Sequence, residues 1–107
     1  MIFRAYAHKN AARYLLVKGR QDYIANEEKI LATIDSPMDE ALEAIGGTGD
    51  TLTGIVSVLI ETGMGISEAA SIAARANRLA GYYAEPTPAT QVMEIIRQIP
   101  RAIDEIL

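Results

Sequence analysis

The sequence contains no cysteine and no tryptophan, one phenylalanine and one histidine. Without cysteine there is no disulfide, no thiolate nucleophile and no cysteine-ligated zinc. One histidine leaves any metal site to carboxylates. Asp39, Glu40 and Glu43 would share nearly one helical face, but such a run is ordinarily a solvated surface. No serine stands in a setting that suggests a Ser-His-Asp triad. Long apolar runs are also missing: none approaches the roughly 18 residues that a membrane-crossing helix needs. The opening "MIFRAYAHKN" has neither an apolar h-region nor a small-residue cleavage site. Together these absences lead to the expectation of a cytoplasmic protein with no membrane partner.

Positive charge is the minority sign, with 10 Lys and Arg against 14 Asp and Glu and a net charge of −4. That balance argues against nucleic acid as the main partner. Arg4, His8, Lys9, Arg13, Lys18 and Arg20 do cluster near the start, either as a phosphate-facing patch or as one solvated face, the commoner outcome. What is present is a chain of 107 residues, half of them hydrophobic, enough for one domain with one modest core.

The texture changes along the chain. Residues 13–35 read as strands: "RYLLVKG" is rich in β-formers and ends in glycine, "DYIA" is short, and "KILATID" alternates Ile30, Ala32 and Ile34 against Leu31 and Thr33. "NEE" between the last two has the look of a hairpin turn. Ser36–Pro37 could cap a short helix over "SPMDEALEAI". A glycine loop follows at 46–50, and from Asp50 to residue 107 the pattern is helical. Leu52, Ile55, Val56, Leu59 and Ile60 recur at steps of three and four, and "TGMG" ends that helix. Ser67 and Glu68 open an alanine-rich helix to about Ala84, in which Tyr82 and Tyr83 serve packing. "EPTP" breaks it, "ATQVMEIIRQI" makes a third helix, and Pro100 begins a terminal turn. A few strands packed on three or four helices is a small α/β layer, in a single unit spanning 1–107.

The loop "GGTGDTLTG" carries the chemistry. The first N–H groups of a helix lack intrahelical partners, and the helix dipole adds partial positive charge there. Glycines let those groups converge on an anion without a Cβ in the way. Gly46, Gly47, Thr48 and Gly49 supply that arrangement, and Asp50 falls in the first turn beside it. A carboxylate next to a phosphate has a use as a general base, taking a proton from a hydroxyl that attacks phosphorus. The alternative stands equally: an acidic residue near a helix start is favoured by the dipole alone, with no ligand. The Lys-Ser/Thr pair of a Walker A loop is absent, since Leu52 follows "GGTGDT".

The order "LLVKGRQDYIA", "GGTGDTLTGIVSVLIETGMGISEAA", "ARANRLAGYYA", "PATQVMEIIRQIP" resembles the C-terminal part of the ribokinase-like superfamily over residues 13–100. Within it the sequence looks most like the nucleotide-dependent NAD(P)H-hydrate dehydratases, which return hydrated nicotinamide cofactors to NAD(P)H. "GGTGD" is its most specific piece; sugar kinases of the superfamily carry a looser GAGD version. The resemblance implies that Gly46, Gly47, Thr48 and Gly49 form an anion hole around the terminal phosphate of ATP or ADP, held with Mg²⁺. It implies that Asp50 is the catalytic base, and that Lys18 and Gly19 end a strand whose following loop borders the nucleotide. Asn77 falls where the kinases often have an Asn near the adenine and many dehydratases a His; a polar residue on a helix face is the other reading.

The sequence also departs from that family. A ribokinase-like enzyme has a larger central sheet than these strands can build, and the His-Pro-Gly-Glu segment of the dehydratases has no counterpart. His8 is followed by Lys9-Asn10 and cannot stand in, and "DEALEAI" replaces the usual Asn-Pro-Gly-Met-Ala-like lead. The expectation is a truncated ribokinase-like layer that binds ATP, ADP or phosphate without catalysis of its own. One alternative is half of a phosphoryl-transfer or dehydratase site completed by an oligomer or a partner chain. The other is a structural or regulatory oligomerisation module without ligand. An exposed sheet edge and apolar face would need cover, so a homo-oligomer or a separate protein partner is expected, with "MIFRAYA" a candidate covering or swapped strand.

Overall fold

The computed structural model describes residues 14–36, 47–85 and 91–107. Three strands come first: β1 (Tyr14–Val17), β2 (Asp22–Asn26) and β3 (Ile30–Ile34), in an antiparallel sheet of order β1-β2-β3. The β2–β3 connection is the expected turn. Asn26 Oδ1 accepts hydrogen bonds from the backbone N–H of Glu28 and of Lys29, both at 2.9 Å. This local side-chain bonding is what makes asparagine a turn residue. Leu16 pairs with Ile24, Ile24 with Ala32, and Asp22 with Ile34. The two-residue period of a strand therefore puts Asp22 on the same face as the buried Ile24.

Four helices follow: α1 (Thr48–Glu61), α2 (Ile66–Tyr83), α3 (Val92–Ile96) and α4 (Ile99–Ile106). α1 stops where "TGMG" indicates. Gly63 lies at φ 98°, its N–H donates to Ile60 O, and the N–H of Met64 donates to Leu59 O. That pair of bonds is a Schellman motif, which needs a residue tolerant of positive φ. Leu52, Ile55 and Leu59 of α1 are buried, whereas Ile60, expected on the same face, is more than a third exposed. The stripe is narrower than the periodicity suggested, because α2 covers one side of α1.

α2 is the centre of the molecule and packs against all three strands and the other three helices. Ala69, Ala73, Ala76 and Ala80, at steps of four and three, are completely buried. Small side chains let neighbouring backbones approach on several sides at once, which a row of leucines would prevent. At its C-terminal end the Tyr82 and Tyr83 rings meet edge to face at 6.0 Å, and Arg101 lies 3.8 Å above the Tyr83 ring. Tyr83 fastens α2 to the terminal helix through Arg101 and Glu105, whereas Tyr82 is largely exposed.

The terminal segment differs from expectation. Instead of one helix and a turn there are two short helices, interrupted at Arg97–Gln98. Pro100 explains the break: in a continuing helix its ring would strike the carbonyl four residues back, yet it is tolerated in a first turn. α4 restarts there, with Ala102 N–H donating to Gln98 O at 3.0 Å. No helix among the described residues is long and apolar enough to cross a membrane. The proposed cap at Pro37, the carboxylate run at 39–43, the basic residues 4–13 and the "MIFRAYA" strand lie outside the described residues.

Candidate functional site

α1 begins at Gly47, whose φ of 94° and ψ of −4° lie in the left-handed region. Glycine is needed there twice over, since a Cβ would also sit 3.1 Å from Val92 Cγ2. No side chain caps this end. The first intrahelical bond of the turn runs from Thr51 N–H to Gly47 O at 3.0 Å, so the N–H groups of residues 48–50 are without helical partners. Thr48 is buried, whereas Gly49 and Asp50 are exposed. Nothing lies within 4 Å of where a Gly49 Cβ would stand, so the loop is open on that side. Gly46, the first residue of the expected anion hole, lies outside the described residues.

Thr51 and Asn77 hold this turn. The Thr51 hydroxyl lies 2.8 Å from Thr48 O and 2.6 Å from Asn77 Oδ1, and Asn77 Nδ2 donates to Thr48 O at 3.1 Å. Asn77 is 93 % buried, being 7 % exposed, and both ends of its amide are engaged by α1. It therefore meets the glycine loop directly, through the protein's own backbone.

Lys18 follows β1, is exposed, and forms no hydrogen bond or ion pair among the described residues. It begins a turn that is tightly held. Gly19 N–H donates to Asp22 Oδ1 at 3.1 Å, Arg78 Nε donates to Asp22 Oδ2 at 2.8 Å, and Arg78 Nη2 donates to the carbonyls of Gly19 and Arg20 at 3.1 and 2.9 Å. Asp22 and Arg78 are both buried, a charge pair of the kind that persists only when paired and hydrogen-bonded. Sequence reasoning overlooked Thr51, Asp22 and Arg78. The available signal was position: Arg78 follows Asn77 on the helix, and Asp22 sits on the core-facing register of a strand.

A groove of about 610 Å³ opens beside the loop, with Gly47, Asp50 and Thr51 at one end and Val58, Val92, Ile96 and Ile103 along its walls. It runs between α1, α3 and α4, and Val58 in its wall is 61 % exposed. Asp50 is the ionisable group of this lining. The arrangement places a carboxylate at the junction of an amide-rich helix start and an apolar trough. No group of three or more potential metal-ligating side chains occurs among the described residues.

A family described as NAD(P)H-hydrate dehydratase matches residues 4–101 of the chain. An uncharacterized protein of Methanocaldococcus jannaschii is 47 % identical over 95 residues, which is 89 % of this chain and 41 % of that protein. Two proteins named bifunctional NAD(P)H-hydrate repair enzyme are also similar. That of Hyperthermus butylicus is 38 % identical over 92 residues, 84 % of this chain and 17 % of the relative. That of Pyrobaculum aerophilum is 32 % identical over 91 residues, 83 % of this chain and 18 % of the relative. The chain thus spans less than half the length of each of these relatives. No solved structure matches it.

Proposed function

This chain belongs to the NAD(P)H-hydrate dehydratase family, and from that premise we propose that it provides the nucleotide-phosphate corner of a site for that chemistry. The N–H groups of residues 48–50 would hold the terminal phosphate of ATP or ADP, with Mg²⁺ supplying further charge compensation. Where a partner completes the site, Asp50 would take the proton of a substrate hydroxyl as its oxygen attacks the terminal phosphorus. The bond from that phosphorus to its bridging oxygen would break, the shortened nucleotide would leave, and the same N–H groups would offset the charge on the transferred group. The observation that carries this reading is the uncapped start of α1 at Gly47, with Asp50 exposed in the first turn beside it. Binding rather than turnover is the activity expected of this chain by itself, in a cytoplasmic setting.

A second reading has its own support. The groove continues from Asp50 along an apolar wall in which Val58 is 61 % exposed. In that reading a second copy of the chain, or a separate protein, covers the trough and completes the site.

Calorimetry against ATP and ADP with Mg²⁺, with light-scattering mass measured on the same sample, tests both readings. Helical Cβ atoms lean toward the N-terminus, so a side chain at residue 49 crowds an anion bound there while meeting nothing in the fold. Saturable binding that Gly49→Val weakens at least tenfold supports the phosphate site. Absence of binding at millimolar nucleotide, or equal binding by the variant, refutes it. A monomeric mass at all concentrations refutes self-association over the groove.

A further inference from the structure

Asn77 and Arg78 are consecutive residues of α2, and each grips a different loop. Successive helical side chains diverge by about 100° and are separated by a rise of about 1.5 Å. One therefore points to the first turn of α1 and the other to the turn after β1. Asn77 is joined to Thr48 and Thr51, and Arg78 to Asp22, Gly19 and Arg20. We propose that Asn77 and Arg78 act together as a positioning pair, fixing the start of α1 and the Lys18–Gln21 turn at one separation. Phosphate binding at α1 depends on that separation.

Both loops need such a hold. One begins at a left-handed glycine and the other contains Gly19, so neither backbone is stiff by itself. Arg78 and Asp22 form a buried ion pair, which as a rule adds little net stability over apolar packing. The fork geometry of Arg78, with Nε on a carboxylate and Nη2 on two carbonyls, instead fixes position and direction. The turn it holds carries Lys18, exposed and without a partner among the described residues. On this proposal the held turn presents Lys18 as a cation for the phosphate.

The consequence for binding rests on the proposed phosphate site, whereas the positioning does not, and two measurements separate them. Amide exchange by NMR reads the loops locally, at Thr51, whose N–H bonds to Gly47 O, and at Gly19, whose N–H bonds to Asp22 Oδ1. Asn77→Ala should speed exchange at Thr51 about tenfold and leave Gly19 unchanged, with Thr51→Val as the gentler variant. Arg78→Lys, which keeps the charge and loses the fork, should do the reverse. Uniform acceleration at both loops, or none, overturns the positioning role.

Calorimetry with Mg²⁺–ADP reads what the positioning serves. Arg78→Lys should weaken binding about tenfold, and the loss should disappear in a Lys18→Ala background. A lowered melting temperature with unchanged affinity, or a loss that persists without Lys18, overturns the coupling to phosphate. Failure of the unaltered chain to bind Mg²⁺–ADP defeats the phosphate reading itself. The exchange results then decide the positioning pair alone.

Discussion

Gly47→Ala isolates the feature on which the candidate site is built. Two separate penalties act at this position. An L-residue at φ 94° is in the left-handed region, which costs roughly 1–2 kcal/mol. The added Cβ also comes within 3.1 Å of Val92 Cγ2, and moving that side chain off its rotamer costs about 0.5–1.5 kcal/mol. The reduced freedom of the unfolded chain offsets some of this, by about 0.4–1 kcal/mol. The net expectation is a loss of about 2 kcal/mol, or a fall in melting temperature of ~10 °C for a domain of this size. Urea unfolding with linear extrapolation measures it. Because the penalties have different origins they can be separated. Val92→Ala should recover the steric part and leave the φ part, giving a coupling of about 0.5–1 kcal/mol in a double-mutant cycle. Gly47→Asn, which accepts positive φ more readily, should lose less than Gly47→Ala. A Gly47→Ala protein within about 0.5 kcal/mol of the unaltered chain refutes the left-handed helix start. Complete rescue by Val92→Ala refutes the φ contribution.

Gly54 lies inside α1 with nothing within 4 Å of its Cβ position, so Gly54→Ala should raise stability by about 0.5–1 kcal/mol in the same assay. Asp50→Asn, in a context that turns over, should abolish product formation while leaving the nucleotide dissociation constant within about threefold, since the carboxylate serves proton transfer rather than binding. The Tyr83 phenol is held above its ordinary value of 10.0, chiefly because it donates a hydrogen bond to Glu105, and its ultraviolet titration should move down in Glu105→Gln. The folded state holds this proton more tightly than the unfolded one, so the associated stabilisation is present below pH 10.0 and declines as pH rises through the native pKa.

The sequence was most legible where a local rule suffices. Asn26 makes the hairpin because its side chain bonds the next two amides, and Gly63 ends α1 because the Schellman bonds demand positive φ. Both are decided within a few residues. Gly47 is readable as an unusual glycine, but the closeness of Val92 to its Cβ position joins residues 45 positions apart and has no local signal. The terminal segment departs from expectation because the pattern gives Pro100 the start of a terminal turn, not of a helix. A proline in a first turn equally starts a helix, and packing of Ala102 against the core favours that outcome. Asn77 was singled out by family position, but its amide proved to be engaged by Thr48 and Thr51. Nothing local marks Arg78, because the strand register that brings Asp22 beneath it emerges only when the sheet is packed on α2.

A site made of backbone N–H groups poses a mechanical problem that its glycines cannot solve. In the proposed site, glycine at 47 and 49 would admit an anion, yet the same freedom would let the turn collapse or fray when the anion leaves, and ordering it again would oppose binding. Rigidity must therefore come from residues that do not touch the ligand. Here it comes from three directions: Val92 closing against Gly47, Thr51 bonded within its own turn and to Asn77, and Asn77 returning a bond to Thr48. All three are tied into the alanine-packed core through α2 and α3. The binding proposed for the loop would consequently be a property of α2 as much as of "GGTGD". A chain keeping that motif but lacking the Asn77 amide should fold and still bind phosphate poorly.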